Sequence, residues 1–114
     1  MVENSAIPVI LVTHPKDATD IVVIISLYFI DKNGRKVLPP TTEACINNAM
    51  SEHNKEGLIY LEIDSTDNMD ARIYDALSRT NSYSNSALFI AVQTSETAQA
   101  AFCYLEKHYS IRTG

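Results

Sequence analysis

The stretch "DIVVIISLYFIDKNGRKVL", residues 20–38, decides what fold this chain can take. Its first half is dense in Val and Ile, which lose side-chain freedom in a helix and pack well on a pleated sheet. Asn33-Gly34 then supplies the pair that tight hairpin turns favour, because their central positions need positive φ. The expectation is a long strand at 21–30, a turn at 31–35 and a short returning strand at 35–38. A competing reading makes Asp17 to Lys32 a buried helix, closed by Gly34 in the left-handed conformation. The apolar run has only ten residues and contains Ser26, whereas crossing a bilayer takes about 20. It belongs to a core.

Working outward, residues 1–5 read as a flexible tail, and "IPVILV" at 7–12 reads as a strand closed by "THPK". On the other side, Pro39-Pro40 interrupts any regular element, and Thr41 or Thr42 can cap a helix running to about Asn54. Cys45, Ile46, Ala49 and Met50 form its apolar stripe, and Gly57 follows its end. "LIYLEI" at 58–63 is a strand that sends Ile59, Leu61 and Ile63 to one face and Leu58, Tyr60 and Glu62 to the other. A helix at about 68–79 carries Met69, Ile73, Ala76 and Leu77 inward. The polar loop "SRTNSYSNS" (78–86) follows it, and then "ALFIAV" (87–92), a strand apolar on both faces. The last helix, 96–109, starts after Thr94 or Ser95 and buries Ala98, Ala101, Phe102 and Leu105. The predicted fold is a single α/β or α+β domain over residues 6–111, a mixed sheet of about four or five strands with about three packed helices.

Composition narrows the class. With 114 residues, 46% apolar and 20% charged, the chain is long enough for one core without staples and too ordinary for disorder. The N-terminal "MVENSAIPVILV" has neither a basic n-region nor a small-residue cleavage site, so no secretory signal is expected. Cys45 and Cys103 fall in amphipathic helices among apolar neighbours, as reduced thiols do, which points to a cytoplasmic setting. Between Glu56 and Asp75 six acids stand against Arg72 alone, so this segment carries the whole formal charge of −5. That balance does not suit a phosphate-tracking surface, and neither direct nucleic-acid binding nor membrane association is expected.

Chemistry is sparsely signalled. The only glycines are Gly34, Gly57 and Gly114, which leaves no phosphate loop or dinucleotide fingerprint. Asp64, Asp67 and Asp70 recur at intervals of three where a strand gives way to a helix. They could gather a divalent cation, since hard cations take carboxylate oxygens at strand ends. The simpler reading makes Asp67 an N-cap and Asp70 a first-turn acid favoured by the helix dipole. His14, after a strand and before Pro15, is the one histidine placed where catalytic groups are often presented. His53 and His108 fall in last turns of predicted helices, where the dipole favours a cation. Tyr83, in the Ser/Asn-rich loop, has the amphipathic character of a recognition residue.

Three functions follow from this reading. The first is a small binding protein, of inhibitor, immunity or adaptor type, that occupies a protein partner, one of basic character, through Glu62, Asp64, Asp67, Asp70, Asp75 and Tyr83. It needs no cofactor. The second is a metal-dependent hydrolase or phosphoryl-transfer enzyme using Asp64, Asp67 and Asp70, with His14 as acid or base. The third is a homo-oligomeric small-molecule binder whose protomers meet on the half-apolar strand face at Leu58 and Tyr60.

Overall fold

Ile21 to Ile25 are all buried to 2% exposure or less, which a strand achieves only when both faces of its sheet are covered. A computed structural model, describing residues 10–13, 20–82 and 86–113, puts them in the middle strand of a five-stranded sheet. The strands are β1 (Ile10–Thr13), β2 (Asp20–Leu27), β5 (Gly57–Ile63), β6 (Ser86–Val92) and β7 (Ser110–Thr113), in the order β5-β6-β2-β1-β7. β5, β6 and β2 run parallel, while β1 is antiparallel to both β2 and β7. Two short strands, β3 (Phe29–Ile30) and β4 (Lys36–Val37), make a separate hairpin. Helices α1 (Pro40–Glu52), α2 (Met69–Ser82) and α3 (Ser95–His108) complete the fold. The α/β class, the mixed sheet and the three helices are as the sequence predicts.

The period-2 alternation sorts the core into two layers. Val22, Ile24, Ala87, Phe89 and Ala91 face α1, against Cys45, Ile46, Ala49 and Met50. Val23, Ile25, Leu61, Ile63, Leu88, Ile90 and Val92 face the other way, against Met69, Ile73, Ala76 and Leu77 of α2 and Ala98, Ala101 and Leu105 of α3. Among the described residues two helices thus cover one face and a single helix the other.

The hairpin reading of residues 20–38 holds and the helix reading is overturned. The long strand does not run unbroken to residue 30, however. It ends at Leu27, and the Tyr28 amide donates to the Val92 carbonyl (2.9 Å), extending the β6 contact by one bond before the chain turns into the hairpin. Asp31 shapes the turn. Its Oδ1 accepts from the amides of Asn33 (2.8 Å) and Arg35 (2.9 Å), and Gly34 takes φ 80°, where a side chain would be strained.

Element ends differ from expectation for identifiable reasons. Pro40 opens α1 with Pro39 at the N-cap, and no side chain caps it. Thr42 is instead buried, with its hydroxyl 3.0 Å from that of Ser26. Asn54, at φ 57°, closes α1, and the Lys55 amide donates to the Met50 carbonyl as in a Schellman end. Asp67 is not the cap of α2. The helix starts at Met69 after Asn68 at φ 58°, and the Asp67 amide donates to Ser65 Oγ (3.2 Å) in the preceding turn. α2 also runs through most of the expected polar loop, to Ser82, and inside it the Ser78 and Thr80 hydroxyls donate back to the carbonyls of Tyr74 (3.0 Å) and Leu77 (2.6 Å). Thr94 does cap α3, accepting from the Thr97 amide at 3.1 Å. β7 was not foreseen. Among the described residues no helix is long and apolar enough to cross a membrane.

Candidate functional site at the β5 edge and the hairpin

β5 pairs with β6 on one side and, among the described residues, is an edge of the sheet on the other. Its alternation sends Ile59, Leu61 and Ile63 toward α2 and α3, and Leu58, Tyr60 and Glu62 toward the α1 face. Among the described residues that face has one helix, and it packs on β2 and β6. Leu58 therefore stays 40% exposed and Tyr60 52% exposed, although the Tyr60 ring meets Phe89 at 5.8 Å between centroids.

Glu62 joins this edge to the hairpin. Its carboxylate takes Lys36 Nζ on both oxygens (2.6 and 2.8 Å) and the Tyr60 hydroxyl at 3.1 Å, and the Tyr28 hydroxyl reaches it as well. The Lys36 hydrogen bond holds the Glu62 carboxyl below the usual carboxylate range. The same bond pushes Lys36 up. Burial, reinforced by the Glu62 charge, raises Tyr28 and carries Tyr60 to about 12. Lys36 Nζ also lies 5.8 Å from the Tyr28 ring centroid, at the outer reach of a cation-π contact.

The hairpin adds to the apolar surface. Phe29, Ile30, Val37 and Leu38 are each 40–48% exposed. Beside them Leu38, Pro39, Pro40, Thr42, Glu43 and Ile46 line an open hollow of about 360 Å³. Exposed large apolar side chains are ordinary singly and informative when they gather. Here they stand on two elements, β5 and the hairpin, that the Glu62–Lys36 contact joins.

The structure breaks up the acidic segment. Glu62 is matched by Lys36, and Asp75 stands 3.9 Å from Arg79. Asp70 turns to α3, lining a hollow of about 310 Å³ with Met69, Ala100, Cys103, Tyr104, Lys107 and His108. Glu56, Asp64 and Asp67 remain exposed around the two ends of β5. Among the described residues no three His, Cys, Asp or Glu side chains gather as a metal-holding group, so Asp64, Asp67 and Asp70 do not converge. His14 and Tyr83 lie outside the described residues. His53 is half-buried, 4.0 Å from Glu52, and His108 packs its ring on Tyr104 at 4.7 Å between centroids. Both cysteines are free, and Cys103 is exposed rather than buried, because it faces away from the sheet between Ala101 and Leu105. Burial pushes the Cys45 thiol up, which keeps it protonated and poorly nucleophilic.

Sequence reasoning named Glu62 and noted that Leu58 and Tyr60 share a half-apolar face. It missed Tyr28, Lys36 and the hairpin's apolar residues. Lys36 was visible in the densest basic cluster, Lys32, Arg35 and Lys36, but nothing local tied it to Glu62, 26 positions away. Neither protein-family models, nor curated proteins, nor solved structures match this chain.

Proposed function

We propose that this protein works by binding a protein partner, through a surface made of the β5 edge and the β3–β4 hairpin, with the flanking acids as its rim. The supporting observation is that Phe29, Ile30, Val37 and Leu38 of the hairpin region and Leu58 and Tyr60 of β5 are all exposed, on elements that the Lys36–Glu62 contact joins. Protein interfaces combine such an apolar, aromatic-rich centre with a polar rim, and tyrosine is a frequent anchor. Glu56, Asp64 and Asp67, all exposed, give the rim its sign and would speed encounter with a basic partner. In the sequence the acids stand out as the binding surface itself. With Glu62 paired to Lys36 and Asp75 near Arg79, this reading takes the apolar residues as the centre and gives the exposed acids a steering role.

A photo-crosslinking side chain at position 60, compared in the native host with one at exposed Glu106 on α3, tests this reading. A discrete adduct from position 60, absent from position 106 and lost in Leu58→Lys, is the expected outcome. Identical adduct patterns from both positions would sink the idea.

A further inference from the structure

We infer that the partner engages this surface as an extended segment with a basic–apolar–basic pattern, added to β5 as a further strand of the sheet; the inference rests on the binding role proposed above. One edge of β5 is paired to β6. On the other, the Glu62 carbonyl accepts from the Arg72 side chain at 2.7 Å, a side-chain substitute for a strand contact at the end of β5. In a parallel ladder the N–H and C=O of one residue point to the same side and alternate from residue to residue. The backbone groups of Leu58 and Tyr60 therefore share the outward side with that carbonyl. Among the described residues this side of β5 has no strand partner, and such an edge is a template for strand addition, in which main-chain bonds give affinity and alternate side chains give specificity.

The side chains define what fits. Alternation along β5 puts Leu58, Tyr60 and Glu62 on the α1 face, and Glu56 and Asp64 flank the strand at its two ends, so the edge presents an apolar pair between acids. An incoming strand matches it by placing apolar residues opposite Leu58 and Tyr60 and cations beyond them, since directly opposed opposite charges stabilise and like charges destabilise. A second copy of this chain does not match. Antiparallel pairing of two β5 strands about a two-fold axis normal to the sheet keeps residues on their own face. With the axis at Tyr60, Glu56 then meets Asp64 of the second copy, and with the axis at Ile59 it meets Glu62. Glu62 is already matched by Lys36, but Glu56 and Asp64 are both exposed acids.

The test uses the whole chain with three acetylated, amidated peptides: KTVTVTK, its acidic counterpart ETVTVTE, and a scrambled basic control of the KTVTVTK composition. Backbone amide exchange is followed at Leu58 and Tyr60, with light scattering of the chain alone. The expected result is added protection of those two amides by KTVTVTK, with ETVTVTE and the scramble at least about tenfold weaker and the chain monomeric. Protection that is equal for acidic and basic peptides overturns the charge pattern. Absence of protection at millimolar KTVTVTK overturns strand addition, and if the position-60 adduct still forms, the binding role stands and uses side chains instead. Concentration-dependent protection of the same amides without peptide, with a dimeric mass, overturns the inference in favour of a second copy.

Discussion

Lys36 Nζ lies 2.6 Å from Glu62 Oε2, a contact that joins β4, the returning strand of the hairpin, to β5 at the edge of the sheet. The same carboxylate takes the Tyr60 hydroxyl, so β4 and the exposed Tyr60 meet at one acid.

Glu62 has a folded-state pKa below its ordinary value, held there first by the Lys36 hydrogen bond. A carboxyl depressed in this way adds stability above its unfolded pKa, lost as pH falls through the folded one. The loss therefore falls in the acid range, below the ordinary carboxyl pKa of 4.5. In Lys36→Met the Glu62 carboxyl should titrate higher, and the acid branch of the stability curve should become shallower. Carbon-detected NMR titration of Glu62 and thermal melts across the acid range check both.

Tyr60 is raised from 10.0 to about 12, first by burial and then by Glu62. A phenol raised on folding contributes stability below pH 10, lost progressively as pH rises toward 12. Tyr104 rises to about 12 as well, chiefly by burial. Ultraviolet titration of the folded protein should therefore show late-ionising tyrosines, and Tyr60→Phe should remove one of them and flatten the alkaline loss of stability.

The Ser26 and Thr42 hydroxyls, 3.0 Å apart, are 0% and 1% exposed. Thr42→Val leaves Ser26 with its long bond to the Leu27 carbonyl (3.3 Å) as the remaining contact. The expected cost in urea denaturation is about 1 to 3 kcal/mol, the penalty for an under-satisfied buried polar group. The double variant Ser26→Ala/Thr42→Val should cost less than the sum of the singles, because it removes both polar groups together.

Capping separates Asp67 from Thr94. Thr94→Ala, which removes the side chain bonded to the Thr97 amide, should destabilise by about 0.5 to 2 kcal/mol. Asp67→Ala, at an exposed turn position before the start of α2, should stay within about 0.5 kcal/mol. Denaturation midpoints of the two variants compare them directly. A larger loss for Asp67 would restore it as a structural acid.

Much of the fold was legible because its signals are local. The Val/Ile run, Asn33-Gly34, the apolar stripe of α1 and the cap at Thr94 each speak through neighbours a few positions away. The break at Tyr28 was not legible, since it depends on a bond to Val92 across the sheet. Nor was β7, whose short stretch becomes a strand by pairing with β1. The candidate site was half legible: Leu58, Tyr60 and Glu62 were on one strand face, but their meaning depended on what covers that face.

The sequence by itself determined the class of fold, the two-sided burial of β2 and β6, and the placement of a net charge of −5 in one segment. Periodicity and composition carry that information, because a strand apolar on both faces must be covered on both, and an amphipathic helix has one side to hide. Tertiary structure alone decided that β5 lies at an edge, that α1 leaves Leu58 and Tyr60 uncovered, and that Lys36 and Arg79 draw off part of the acidic charge. Those outcomes come from which elements become neighbours, and charge pairing and edge exposure are properties of neighbours in space.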